Sequence, residues 1–195
     1  KNKVLVFDRC YHGSVDETFA TLDDASKVVS REGNIGAPVP LDVTTRVVQF
    51  NDLEGVESAL KQGDVACILT EPALTNVGIV LPTAGFLEGL RSLATKYGTI
   101  LIIDETHTIS AGPGGMTALN NLAPDILTIG KSIGGGMPVG AFGMNEEVSA
   151  RIARLVSRDW IDTGGIGGTL AGNALSLAAM RATLLEVLTP ANFAK

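Results

Sequence analysis

Short aliphatic and β-branched runs alternate along the chain with longer stretches of helical period, and this alternation limits the fold more than any other feature. Residues 4–8, 47–50, 65–70, 99–104, 126–129 and 139–142 read as buried strands. Between them, residues 52–62 carry Leu53, Val56, Ala59 and Leu60 at helical spacing, with Asn51 expected as the cap and Glu54 in the capping-box position. Residues 86–97 place Phe86, Leu87, Leu90, Leu93 and Ala94 on one stripe, and Gly98 ends that helix. Residues 146–156 and 171–188 read as two further helices. Strands alternating with helices imply βαβ units, hence an α/β fold with a mostly parallel sheet between helices. Residues 23–45 show no clean period, hold two prolines beside Val39, and read as a long loop. No internal repeat is apparent.

Composition narrows the function classes. In 195 residues, 45% are hydrophobic and 18% charged, which suits one well-buried domain and excludes a disordered chain. Fifteen Lys and Arg against 21 Asp and Glu give a formal charge of −6, so no basic face for nucleic acid is expected. Cys10 and Cys67 lie in apolar runs and read as buried free thiols, as in a reducing cytoplasm. No apolar run is long enough for a membrane span. The chain opens on Lys1 and enters an apolar run at once. A longer parent, whose targeting segment could have been lost, is therefore expected.

Four local features carry chemistry. Asp104-Glu105 follows four apolar residues at a strand end, where open α/β sheets bind ligands; a poorly solvated carboxylate there needs a cationic partner. The bland alternative is a strand-end aspartate that caps a loop. Lys131 directly follows another strand and precedes Gly134-Gly135-Gly136; a desolvated lysine there is a nucleophile able to form imines. The Gly-Lys-Ser at 130–132 is not a phosphate-binding P-loop, because Asp125 stands where that motif requires glycine. Tyr11-His12-Gly13 ends the first strand, and an aromatic ring there could stack on a planar cofactor. Gly167-Gly168-Thr169 precedes the helix at 171–188, and backbone amides with a hydroxyl could hold a phosphate, although taken alone the pattern reads first as an N-cap threonine. With two histidines, two cysteines and no paired ligand spacing, no metal site is expected.

Taken in order, Tyr11-His12-Gly13, Glu71-Pro72, Asn76, Ile103-Asp104-Glu105, Gly130-Lys131, the run from Gly134 to Gly143, and Gly168 to Asn173 resemble the class III aminotransferases dependent on pyridoxal 5′-phosphate (PLP). The similarity is strongest to their glutamate-1-semialdehyde aminomutase-like branch. It spans nearly the whole chain and implies a three-layer α/β/α sandwich of fold type I, with residues 1–195 forming a partial PLP-binding large domain.

The resemblance also implies roles. Lys131 would hold PLP as an aldimine and shuttle the substrate proton, and Asp104 would pair with the ring nitrogen. Tyr11 would stack on one ring face, with His12 beside it. Thr106 stands where the family usually has a valine packing on the other face. His107 stands where a residue near the ring 3-hydroxyl is expected, and Asn76 matches an active-site asparagine of the aminomutase branch. Thr169 would bind the cofactor phosphate, typically across a homodimer interface.

Family members are longer. Their Ser-Gly-(Thr/Ser)-Glu-Ala phosphate loop and their C-terminal small domain are not in this sequence. Residues 106–115 also depart from the Val-Met-Thr-Gly-Phe-Arg-type sequence of true aminomutases. The implied activity is transfer of an amino group between an amino compound and a keto acid. The alternatives are an intramolecular aminomutase and a truncated, non-catalytic PLP-binding remnant. The implied partners are a small amino or keto substrate and a second copy of the chain, in the cytoplasm, with neither nucleic acid nor membrane.

Overall fold

The computed structural model describes residues 1–36, 39–156 and 168–195. Among these residues eight strands form: β1 (Lys3–Phe7), β2 (Ala20–Leu22), β3 (Val28–Ser30), β4 (Thr45–Val48), β5 (Val65–Thr70), β6 (Ile100–Asp104), β7 (Ile126–Gly130) and β8 (Gly140–Met144). The helices are α1 (Leu41–Thr44), α2 (Leu53–Leu60), α3 (Phe86–Tyr97), α4 (Gly115–Leu119), α5 (Glu146–Val156), α6 (Ala174–Ala182) and α7 (Pro190–Phe193).

Six strands form one sheet in the order β4-β1-β5-β6-β7-β8, parallel except for β8, which runs antiparallel to β7. With its flanking helices this is the expected α/β sandwich. The central strands β1, β5 and β6 are apolar on both faces, as a sheet covered by helices requires. Leu5, Val6, Phe7, Ile68, Leu101 and Ile103 are almost wholly buried. They pack against Val56 and Leu60 of α2 and Phe86, Leu90 and Ala94 of α3. Phe7, Phe50 and Phe86 meet edge to face, with ring centroids 4.8–5.6 Å apart, a geometry that suits their quadrupoles.

Four sequence expectations are corrected. Residues 23–45 are not one loop: β3 pairs antiparallel with β2, α1 follows, and β4 begins at Thr45 rather than at residue 47. The hairpin is invisible to periodicity because its strands are three residues long. It is set by Asp23, whose carboxylate accepts from the amides of Ala25 and Lys27. Pro38 lies outside the described residues.

The cap of α2 is Asp52, whose carboxylate accepts from Gly55 N at 2.8 Å. Asn51 instead adopts a left-handed φ of 72° and ties down a distant loop through Thr83 N and Leu81 O.

The segment 139–142 is not a buried strand. β8 is the sheet edge, one residue later than expected, with Phe142 about half exposed. The helix expected at 171–188 begins at Ala174 under an Asn173 cap and widens into a π-helical turn at Thr183–Val187. There the backbone of Gly135 lies so close that an added Cβ would sit 2.6 Å from Thr183 Oγ1.

Among the described residues no helix is long and apolar enough to cross a membrane. Both cysteines are free; Cys10 is buried and Cys67 half-buried, where burial pushes its thiol up to about 11.

Candidate active site

Because β1, β5, β6 and β7 are consecutive neighbours running the same way, their carboxyl ends lie side by side. Tyr11 and His12 follow β1, Glu71 and Asn76 follow β5, Asp104 ends β6 with Thr106 just beyond, and Lys131 follows β7. Residues up to 120 positions apart in the chain thus lie along one edge of the sheet, where open α/β sheets usually bind ligands.

Asp104 is its electrostatic centre. The residue is 8% exposed. One carboxylate oxygen meets His12 Nδ1 at 2.8 Å and the other accepts from Thr106 N at 2.9 Å. Burial alone would raise the carboxyl pKa. The hydrogen bonds from His12 and Thr106 and the imidazolium charge outweigh it and bring Asp104 down to about 2. Burial likewise opposes charge on His12, but Asp104, with the Cys10 thiol beside the ring, raises it to about 9. The expected need of Asp104 for a cation is met inside the chain, by His12. The other ring nitrogen, Nε2, is buried without a hydrogen-bond partner.

Lys131 begins a 3-10 turn, Lys131–Gly134, with a left-handed φ of 46°. It is exposed, which corrects the expectation of a desolvated amine: the strand end opens directly onto the sheet edge, and the following glycines carry no side chains to cover it. The hydroxyl of Ser132, next in sequence, is buried and unpaired. The Thr106 methyl lies 3.4 Å from where a Cβ on Gly130 would stand, so Thr106 sits against the end of β7, one residue from Lys131.

Tyr11 keeps 38% of its surface exposed and, with Asn76, lines a cavity beside that edge. Its amide donates to buried Glu71, which also accepts from Thr75 Oγ1 at 2.5 Å.

Two expected residues are not drawn into this group. His107 is exposed at the entry to the Thr108–Ala111 turn. Thr169 is exposed in a turn and does not cap a helix, because α6 starts five residues later. Among the described residues no hydrogen bond joins either side chain to Asp104 or Lys131. The rest of the glycine run before Thr169, apart from Gly168, lies outside the described residues.

Sequence reasoning gave Glu105 no role, yet it is fully buried and organises the loop under the site. Its carboxylate accepts from Met116 N at 3.3 Å, from Thr117 N and from Thr108 Oγ1. The only signal in the sequence was an acid directly beside Asp104. Arg9 and Arg31, which border the Tyr11 cavity, carried no signal at all.

A mostly parallel sheet between helices, with a carboxylate and a lysine at adjacent strand ends, has the architecture of the fold type I PLP-dependent transferases. The aminotransferase class-III family model matches residues 1–195, and the chain belongs to that family. The glutamate-1-semialdehyde 2,1-aminomutase of Bordetella avium is 38% identical over 195 residues, covering 97% of this chain and 44% of that protein.

The crystal structure of a glutamate-1-semialdehyde aminomutase from Pseudomonas aeruginosa PAO1 superposes with a TM-score of 0.92 at 49% identity, over 97% of this chain and 43% of that one. A lysine variant of that enzyme, in complex with PMP, is equally similar in fold, at 48% identity. An omega-transaminase from Sphaerobacter thermophilus gives a TM-score of 0.80 at 31% identity, over 98% of this chain and 44% of that one. The chain therefore spans less than half the length of these relatives.

Proposed function

We propose that residues 1–195 are the PLP-binding part of a large domain whose parent enzyme transfers an amino group between an amino compound and a keto acid. The observation that carries this reading is the buried Asp104–His12 pair, two residues from Thr106, which packs at the end of the strand bearing Lys131. The residues present fit the cofactor. An ionised carboxylate ends β6, an exposed amine follows the neighbouring strand, a partly exposed aromatic ring follows β1, and Ser132 Oγ and His12 Nε2 are buried without partners.

When bound, PLP supplies an electrophilic carbonyl and a ring that accepts electrons from the substrate carbon. Lys131 would hold the cofactor through Nζ, and its amine would be the base that moves the substrate proton. Asp104 would pair with the ring nitrogen, and His12 holds Asp104 ionised and fixed through Nδ1. Tyr11 and Thr106 would pack against the cofactor ring. His107 and Asn76 would supply polar groups to cofactor and substrate, and Thr169 would bind the phosphate.

A second reading, an intramolecular aminomutase, is favoured by the names of the Bordetella and Pseudomonas relatives. Turnover that needs a keto-acid acceptor supports the transferase, and turnover of one substrate alone supports the mutase.

Borohydride reduction of the PLP-loaded protein, followed by peptide mass spectrometry, tests the common core of both readings. The cofactor is expected on Lys131 alone. Its attachment to a different lysine, or no attachment, refutes the site.

A further inference from the structure

The tight turn after β1 is fixed at successive residues from separate parts of the fold. Cys10 N closes it on Phe7 O at 3.0 Å, with Arg9 between them at a left-handed φ of 62°. The Cys10 carbonyl accepts from the Arg31 guanidinium, just past β3. The Tyr11 amide donates to Glu71 after β5, and His12 Nδ1 meets Asp104 at the end of β6 at 2.8 Å. With its amide and its carbonyl both tied, the Cys10 backbone has little freedom to turn its side chain elsewhere.

Cys10 and His12 are buried together. Cys10 is wholly buried and forms no disulfide, and the His12 side chain is 2% exposed. Raised to about 9, His12 is protonated at neutral pH, so both of its ring nitrogens are donors. Nδ1 has Asp104, but Nε2 makes no hydrogen bond of ordinary geometry. An unmatched N–H on a buried imidazolium is costly, and its burial keeps groups from outside this chain from reaching it. Burial opposes the charge on the ring, the bond to Asp104 favours it most, and the Cys10 sulfur favours it next. Sulfur is a weak but polarisable acceptor, suited to a cationic donor.

We propose that Cys10 is a positioning residue: its sulfur receives the Nε2 side of the His12 ring and, with Asp104 on the Nδ1 side, fixes that ring in place and charged. The result is a buried series, Cys10–His12–Asp104, that ends at the carboxylate assigned to the cofactor ring nitrogen. Cys10 touches neither cofactor nor substrate and acts through His12. The series stands on contacts within this chain, while its effect on turnover rests on the amino-transfer reading above. Among the described residues, the titratable groups acting on the ring are Asp104 from β6 and Cys10 from its own turn. Glu71 and Arg31 meet the same turn through backbone groups.

NMR of isotope-labelled histidine in the intact, cofactor-free protein tests this, with His12→Gln assigning the His12 signal. Cys10→Ala and the bulkier Cys10→Val remove the acceptor, and Cys10→Ser keeps one. Because Cys10→Val fills the space that Cys10→Ala leaves, either suffices to decide. In both apolar variants the His12 midpoint is expected to fall by about one pH unit or more from its wild-type value of about 9, and in Cys10→Ser to stay near it. In the PLP-loaded enzyme the alkaline limb of the turnover profile should move down with the midpoint. The proposal is overturned by a midpoint unmoved in the apolar variants, by one lowered as far in Cys10→Ser, or by a limb that stays put while the midpoint falls. The titration needs no cofactor. The expected midpoints without any visible absorbance of bound PLP would bring down the amino-transfer reading and leave the Cys10–His12 contact standing.

Discussion

Asp104 and His12 show how a buried charge becomes usable. Either side chain alone would be driven neutral by desolvation; together, 2.8 Å apart, each keeps the other ionised. The pair makes stability depend on pH in a defined sense. His12 is raised from 6.5 to about 9, so its contribution is complete below 6.5 and is lost as pH rises through 9. Asp104 is lowered from 3.8 to about 2, so its contribution is present above 3.8 and is lost as pH falls through 2. The shared stabilisation is on the order of 3 kcal/mol and belongs to the pair, not to each member. Urea unfolding of the cofactor-free protein should therefore show a loss of stability between pH 6.5 and 9 that is absent in Asp104→Asn. In the loaded enzyme the same substitution removes the charge beside the ring nitrogen, and turnover should fall about a thousandfold, or ~4 kcal/mol of barrier. A near-normal rate would mean that Asp104 only caps its strand.

At the scale of elements, the loop between β6 and α4 is held by a carboxylate and a glycine that fit each other. Glu105 reaches into the first turn of α4, and a Cβ on Gly115 would meet its oxygen at 2.6 Å. Gly115 also has a φ of +65°. Gly115→Ala should thus strain the backbone and displace a buried carboxylate at once. The expected cost is about 2–3 kcal/mol, read as a lower urea midpoint. Because Thr106 is the residue after Glu105, cofactor affinity should fall with it. An unchanged midpoint would show that the loop stands without this contact. The helix caps follow the same local logic: Asp52 and Asn173 each accept from the amide three residues on, and each stands directly before an apolar run.

For the whole molecule, α6 and the turn after it leave Leu175, Leu177, Leu184, Leu185 and Val187 between 42% and 63% exposed. So much apolar surface on one segment needs covering, by further residues of its own domain or by another subunit. We propose a homodimer, in which Thr169 of one subunit would complete the phosphate site around the partner subunit's Lys131. Sedimentation of the intact protein checks the assembly, and mixed dimers check the sharing. Lys131→Ala and Thr169→Ala, each inactive alone, should regain roughly a quarter of wild-type activity when unfolded and refolded together, because half of the random dimers carry one intact site. No recovery, or a monomer, refutes the shared site.

Periodicity placed the six strands of the main sheet in chain order and put Asp104 and Lys131 at strand ends, and the family resemblance then marked Asp104 out from a strand-end cap. Spacing and strand-end position are both local signals: apolar spacing reports which face is buried, and a charged residue directly after an apolar run must lie at an end. The pairing of His12 with Asp104, 92 positions apart, was decided by strand order, since only the adjacency of the β1, β5 and β6 ends brings them together. The Glu105 clamp, the exposure of Lys131 and the left-handed turn at Arg9 were likewise beyond a reading of residue types. Each depends on backbone torsions and on what packs from elsewhere in the chain, and the short β2–β3 hairpin had too few residues to establish any period. The sequence by itself therefore determined which residues reach the carboxyl edge of the sheet; the tertiary structure decided which of them touch, because contact between distant residues is a property of the folded backbone.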